Sequence, residues 1–218
     1  MYKQITVILS ILAGLICSSC NGIFAWIYDP VSERIEYGFI ETDAATHRGT
    51  IFIDARDYSK WTYINLAKQT IDTVNILMGE NEPAYWDFAI HRYDVKTNCG
   101  AALETNFTTI DDLVDGGFPL SESLGEFIPD TSSRVSIDMS GMMDGNIIYA
   151  NSDINPVLCS WLDVNTSQMP PIYTMSGKVY VLRLANGQYA ALKFISYMNS
   201  ASEKGYVTIQ YLFPLMIR

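Results

Sequence analysis

Residues 178–184, Lys-Val-Tyr-Val-Leu-Arg-Leu, and residues 188–197, Gln-Tyr-Ala-Ala-Leu-Lys-Phe-Ile-Ser-Tyr, are joined by Ala185-Asn186-Gly187. Asn-Gly between two strand-like runs is the strongest short hairpin cue, because both residues tolerate positive φ. A polar connection over residues 199–204 then leads into Gly205 to Phe213 (GYVTIQYLF), where apolar and polar residues alternate. Three such segments in succession predict an antiparallel meander as the spine of the main sheet.

Outward from this meander the chain continues to read as strands. Thr50 to Ala55 is rich in Ile and Phe, with Thr62 to Leu66 as its expected partner, and Ala84 to Val95 is a long apolar-aromatic segment ahead of Asn98 and Gly100. Asp111 to Asp130 holds Gly116-Gly117, Pro119, Gly125 and Pro129, which predicts mostly loop, docked by its Leu and Phe residues. Helix is expected to be minor, over Tyr63 to Thr73 and as a turn near Asp111. Fourteen tyrosines, with many Thr, Val and Ile, agree with this balance. The predicted fold class is mostly β, with antiparallel sheets, long ligand-binding loops and one or two short helices.

With 49% hydrophobic and 17% charged residues in 218, the chain can bury a core of ordinary domain size. Its net charge of −10 leaves no basic field for phosphates, so nucleic acid is a poor partner. At the amino terminus Lys3 precedes a mostly apolar run from Ile5 to Ile16. About a dozen residues suit a signal-peptide core and fall short of the roughly 20 a membrane span needs. Ser18-Ser19-Cys20 then resembles a lipobox, and two small residues favour Cys20 over Cys17, which follows Leu15-Ile16. The organisation expected is a lipoprotein signal peptide over residues 1–19, a lipidated tether over 20–35 and a β domain over 36–218. Attachment to the outer membrane would be by the lipid at Cys20 alone. Losing Lys3 with the signal peptide makes the mature charge −11.

No GxSxG elbow, P-loop, HExxH or GxGxxG occurs, so no enzyme class is signalled. His91 reads as a structural strand residue and His47 as a solvent-exposed turn residue. Cys99 and Cys159 are candidates to pair in an oxidising compartment. The methionines say more. Of eight in the mature chain seven lie after residue 130; Met139, Met142 and Met143 cluster in Ile137 to Gly145, and Met169 precedes Pro170-Pro171. Methionine ordinarily fills gaps in a core. On Gly- and Pro-punctuated loops, however, a thioether suits a soft axial contact to haem iron. Two such loops could clamp a porphyrin, with Tyr149, Trp161 and Tyr173 covering its faces.

Tyr85-Trp86-Asp87-Phe88-Ala89-Ile90-His91-Arg92-Tyr93-Asp94-Val95-Lys96-Thr97-Asn98, followed by Gly100, resembles the WDxAxxRYxxxTN-x-G signature of the HmuY family. Ala55 to Leu66 (ARDYSKWTYINL) is similar to the segment that opens that domain, and the meander fits its end, so the likeness spans about residues 36–213. The resemblance implies a mostly β fold in which two loop-bearing projections grip haem. It implies a haem-scavenging lipoprotein that passes haem to an outer-membrane TonB-dependent receptor, with host haem proteins as a source. Members bind iron through two histidines or two methionines. Both histidines here precede residue 100, so the methionine type is expected, with Met169 as one ligand and Met142 or Met143 as the other. Met142 is preferred for its spacing from Met169. The competing readings are a HmuY-like surface lipoprotein for another tetrapyrrole or apolar ligand, and a structural or adhesive lipoprotein with no small ligand.

Overall fold

The computed structural model describes residues 37–116 and 126–216. The expected signal peptide, Cys20 and the whole of the tether, together with residues 117–125 of the expected loop, lie outside the described residues. The predicted meander is present as β13 (Tyr180–Arg183), β14 (Tyr189–Met198) and β15 (Lys204–Leu212). Gly187 takes φ +82° in the β13–β14 turn, where its N–H donates to Leu184 O at 2.9 Å. Around this spine a seven-stranded antiparallel sheet runs in the order β1-β2-β15-β14-β13-β7-β8. Its other strands are β1 (Gly38–Asp43), β2 (Arg48–Asp54), β7 (Ala101–Glu104) and β8 (Ile128–Pro129).

A second antiparallel sheet has the order β4-β3-β5-β6, from β3 (Lys60–Asn65), β4 (Thr70–Asn75), β5 (Phe88–His91) and β6 (Asp94–Thr97). The main core joins the two sheets. Ile51, Tyr180, Leu182, Leu192, Phe194 and Ile209 of the first meet Ile64, Phe88 and Ile90 of the second. The meander is apolar on its other face too, because Val179, Val181 and Ala191 pack with Ile110 and Leu113 of helix α1 (Ile110–Asp115). Burial on both faces explains why KVYVLRL is a nearly continuous apolar run rather than a strict alternation. Thr109 caps α1 by accepting from Asp112 N at 3.0 Å, and Asp111 and Asp112 sit where the helix dipole favours acids.

Three expectations change. Tyr63 to Thr73 is not a helix but the β3–β4 hairpin, turned where Asn65 Oδ1 accepts from Lys68 N at 2.8 Å and Gln69 takes φ +53°. Alternation on a two-sided strand outweighs the helix preference of Leu66-Ala67-Lys68-Gln69. The 62–66 segment pairs with β4 and β5, whereas β2 pairs with β1 and β15. Ala84 to Val95 is broken at Arg92-Tyr93 into β5 and β6.

Candidate functional site

Two further hairpins are separate two-stranded sheets. In the first, β9 (Thr131–Gly141) pairs with β10 (Asn146–Ile154) through a 3-10 turn over Met142–Asp144. In the second, β11 (Leu162–Asn165) pairs with β12 (Ile172–Met175). Helix α2 (Pro156–Cys159) joins them. The expected loops are thus ordered ribbons with only their tips irregular.

The base of the first ribbon is apolar on one side. Val135, Ile137, Ala150 and Ile154 pack on Trp61, Tyr63 and Val74 of the four-stranded sheet and on Trp86 just ahead of β5. At its tip Gly141 lies so close to the returning strand that a Cβ there would be 2.5 Å from Asn146 O, and Gly145 closes the turn at φ +77°. Between them Met142 is 51% and Met143 90% exposed. Tyr149, halfway down the ribbon, is half exposed beneath the Arg134 guanidinium, 4.8 Å from its ring centre. Met169, beyond β11, is 86% exposed, and Tyr173 stands on β12 stacked against Tyr197 with centroids 5.1 Å apart. Met143 and Met169 are thus the most exposed of the large apolar side chains on the two hairpins.

The expected residues therefore divide. Met142, Met143 and Tyr149 share one ribbon, and Met169 and Tyr173 the other. Trp161 does not cover a ligand. It is 1% exposed, stacks on Phe194 at 4.5 Å and donates its Nε1 to Tyr93 O at 2.9 Å. Being next to α2, it is drawn into the core where the second ribbon starts. His91 is buried, with Nε2 2.7 Å from Tyr58 O and Nδ1 3.3 Å from Asp94 Oδ2, a structural role, and His47 lies exposed on a turn. Cys99 and Cys159 are both free. The Cys159 thiol instead accepts from Val95 N at 3.2 Å, and burial pushes its pKa up to about 12. Among the described residues no three of His, Cys, Asp and Glu converge to hold a metal ion.

A family model described as HmuY protein matches residues 57–211. The chain belongs to the HmuY family. A solved Bacteroides vulgatus protein named for HmuY-like haem binding is 47% identical, with a TM-score of 0.77 over 84% of this chain and 100% of that one. A Bacteroides fragilis protein named as a lipoprotein is 46% identical, with a TM-score of 0.77 over 83% and 96%. The apo HmuY analogue of Tannerella forsythia is 26% identical, with a TM-score of 0.62 over 75% and 94%. No curated protein matches the chain by sequence.

In this HmuY-family chain the signature builds the scaffold that carries the ribbons. Asp87 accepts from Leu66 N at 2.7 Å, and Asn98 Nδ2 donates to Trp86 O at 3.0 Å. Thr97 gives both its N–H and its hydroxyl to Asp130, at 2.6 and 2.8 Å. A Cβ at Gly100 would meet Arg183 O at 2.6 Å, so only glycine lets β7 approach β13 there. Burial raises the carboxyls of Asp87 and Asp130 above the ordinary range, opposed by these hydrogen bonds. Asp130 and Asn155 escaped the sequence reading, although Asn155-Pro156 is a helix-start signal that was available.

Proposed function

We propose that this chain is a haem-binding lipoprotein whose two ribbons take the iron between Met169 and Met142, with Met143 the neighbouring alternative and Tyr149 and Tyr173 beside the macrocycle. The observation that carries the reading is the exposure of a thioether on each of two consecutive hairpins that share one anchored base. The 47% likeness to a protein named for haem binding supports it. The donor set fits: thioethers are soft, neutral ligands. When bound, haem supplies an iron centre that thioethers favour in its ferrous state. Neither donor takes a proton near neutral pH, so capture strengthens under reducing conditions and varies little with mild acid. The reading assigns the chain to carriage and not to catalysis.

The same proposal gives residues 1–19 to the signal peptide, Cys20 to the lipid, 20–35 to the tether and 36–218 to the carrier domain, at the outer membrane. Among the described residues no helix is long and apolar enough to cross a membrane. A TonB-dependent outer-membrane receptor is the acceptor of the haem, and host haem proteins are a source. The test is an absorbance titration of residues 21–218 with haem, oxidised and dithionite-reduced, beside Met142→Ala, Met143→Ala and Met169→Ala. Saturable one-to-one binding with a low-spin reduced spectrum, lost in Met169→Ala and in one of the other two, is expected. Spectra indifferent to all three substitutions would sink the thioether clamp.

A further inference from the structure

Among the described residues, the buried side-chain polar atoms without a hydrogen-bond partner are Arg92 Nε and Tyr93 Oη. They are neighbours, on the tight turn between β5 and β6. Native proteins leave such groups alone rarely, and an orphan is a reason to look for a missing partner. Arg92 is held there by effort from several sides. It takes φ +53°, sparsely used by bulky residues, and its Nη1 donates to Arg56 O at 3.0 Å. Its guanidinium lies 4.5 Å from the Tyr58 ring centre and 5.3 Å from that of Tyr93. Glycine at 205 makes room for it, since a Cβ there would collide with Arg92 Nη1.

The Tyr93 ring meets Tyr173 edge-on at 5.9 Å, and Lys204 Nζ lies 4.0 Å from the Tyr173 ring centre. Lys204 is exposed. The ion pairs of the described residues join Arg48, Arg56, Lys60, His91 and Lys96 to acids; neither Arg92 nor Lys204 has one. Two cations and a phenol O–H, all donors, thus line the Tyr93–Tyr173 ring pair, Arg92 at Tyr93 and Lys204 at Tyr173, in a chain whose net charge is −10. What the cluster lacks is an acceptor, and a carboxylate supplies two oxygens suited to ammonium, guanidinium and phenol alike. Tyr173 is four residues from Met169 on the same ribbon, so chain reach keeps the two within about 14 Å. That is within the span of a tetrapyrrole and its acidic side chains. Arg134, over Tyr149 on the other ribbon, has no orphaned donor beside it.

We propose that Lys204, Tyr93 and Arg92 form a carboxylate-binding subsite that takes a propionate of the tetrapyrrole and sets which edge of the macrocycle enters between the ribbons. Tyr173, between Lys204 and Tyr93, turns aside along Tyr197 to admit it. The inference rests on the haem reading above, and its test separates the two.

The purified protein and its Lys204→Met and Tyr93→Phe variants are titrated with three probes: haem, haem dimethyl ester and iron-free protoporphyrin IX. Wild type is expected to bind haem more tightly than the ester, and Lys204→Met to lose about tenfold for haem and protoporphyrin but not for the ester, the scale of one charge-assisted contact. Tyr93→Phe is expected to leave the ligand-free protein as stable or more so, since it removes an orphaned hydroxyl, while weakening both acidic probes. That combination is not available to a purely structural tyrosine. Equal binding of haem and ester, with the thioether spectrum intact, overturns the subsite and spares the methionine reading. Protoporphyrin binding as tightly as haem, but still weakened by Lys204→Met, overturns the methionine reading and spares the subsite. No binding of any probe overturns both.

Discussion

Asn155 Nδ2 donates to Asp130 Oδ1 at 3.0 Å, closing the base of the Met142 ribbon just outside its last strand pair, Thr131 with Ile154. Asn155 is fully buried. It also gives Nδ2 to Ile128 O, takes Leu158 N at the start of α2, and donates its own N–H to Val95 O. One side chain therefore ties the end of the first ribbon to the beginning of the helix that launches the second. Replacing it takes one donor from Asp130, which keeps the two from Thr97, and one from Ile128 O, and leaves α2 without a cap. Asn155→Ala is expected to lower unfolding free energy by about 2–3 kcal/mol, from the lost cap and the lost buried hydrogen bonds together. Urea denaturation measures it, and a loss below about 0.5 kcal/mol, the scale of an ordinary surface change, would show that the clasp is incidental.

Asp87 has the opposite pH behaviour to a paired surface carboxylate. Burial raises its pKa in the folded state from 3.8, and the Leu66 amide opposes that only in part. The folded state then binds the proton more readily than the unfolded chain, so stability from this group rises as pH falls through the raised value and levels off below 3.8. Asn at this position removes the titration while keeping an acceptor for Leu66 N. Measured from neutral pH downward, wild type should gain stability relative to Asp87→Asn. A gap that moves the other way contradicts the assignment.

Lys96 is 6% exposed, and its ammonium lies 4.5, 4.9 and 5.3 Å from the ring centres of Trp61, Tyr63 and Trp86. It donates to Tyr63 Oη at 3.0 Å and to Glu82, whose side chain is 53% exposed. Solvent screens the carboxylate but not the aromatic faces. Glu82→Gln should therefore cost below about 1 kcal/mol, and Lys96→Ala about 2–4 kcal/mol, from lost cation–π contact and a void beneath the Met142 ribbon. Denaturation of the two variants decides the order, and a larger loss from Glu82→Gln reverses the argument.

The meander was legible because three local signals agree in it: strand composition, the Asn186-Gly187 turn and the polar 199–204 link. Residues 63–73 misled because Leu66 to Gln69 favour a helix locally, while Asn65 and Gln69 make a turn whose partner strand is recognisable only in three dimensions. The tip methionines were found from Gly and Pro around them. Trp161 was not separable from Tyr173 by sequence, since burial at the foot of a hairpin depends on what packs beneath it. The Asp130–Asn155 clasp joins positions 25 apart, and no local pattern links them.

The two cysteines should behave differently towards a thiol reagent. Cys99 is exposed on a turn at φ +53°, while Cys159 is mostly enclosed with its pKa pushed up to about 12. Only the thiolate reacts, so Cys159 is inert near neutral pH in the folded state. In residues 21–218, one thiol should react promptly and the second only on denaturation. Two fast equivalents, or none, would contradict the structure around α2.

The tip methionines separate stability from binding. Met143 and Met169 are 90% and 86% exposed, and Met142 about half, so their truncation removes little packing. Each Ala variant should unfold within about 0.5 kcal/mol of wild type, the range for surface positions. If a thioether is an iron ligand, the same substitution removes a bond whose strength the ligand-free fold never used. Thermal melts without and with haem test this in one experiment. Wild type should be stabilised by haem through mass action, Met169→Ala should melt with wild type when ligand-free, and its stabilisation by haem should be lost. A Met169→Ala protein that unfolds far below wild type without ligand would place the side chain in the core after all, and the clamp would have to be sought elsewhere on the ribbons.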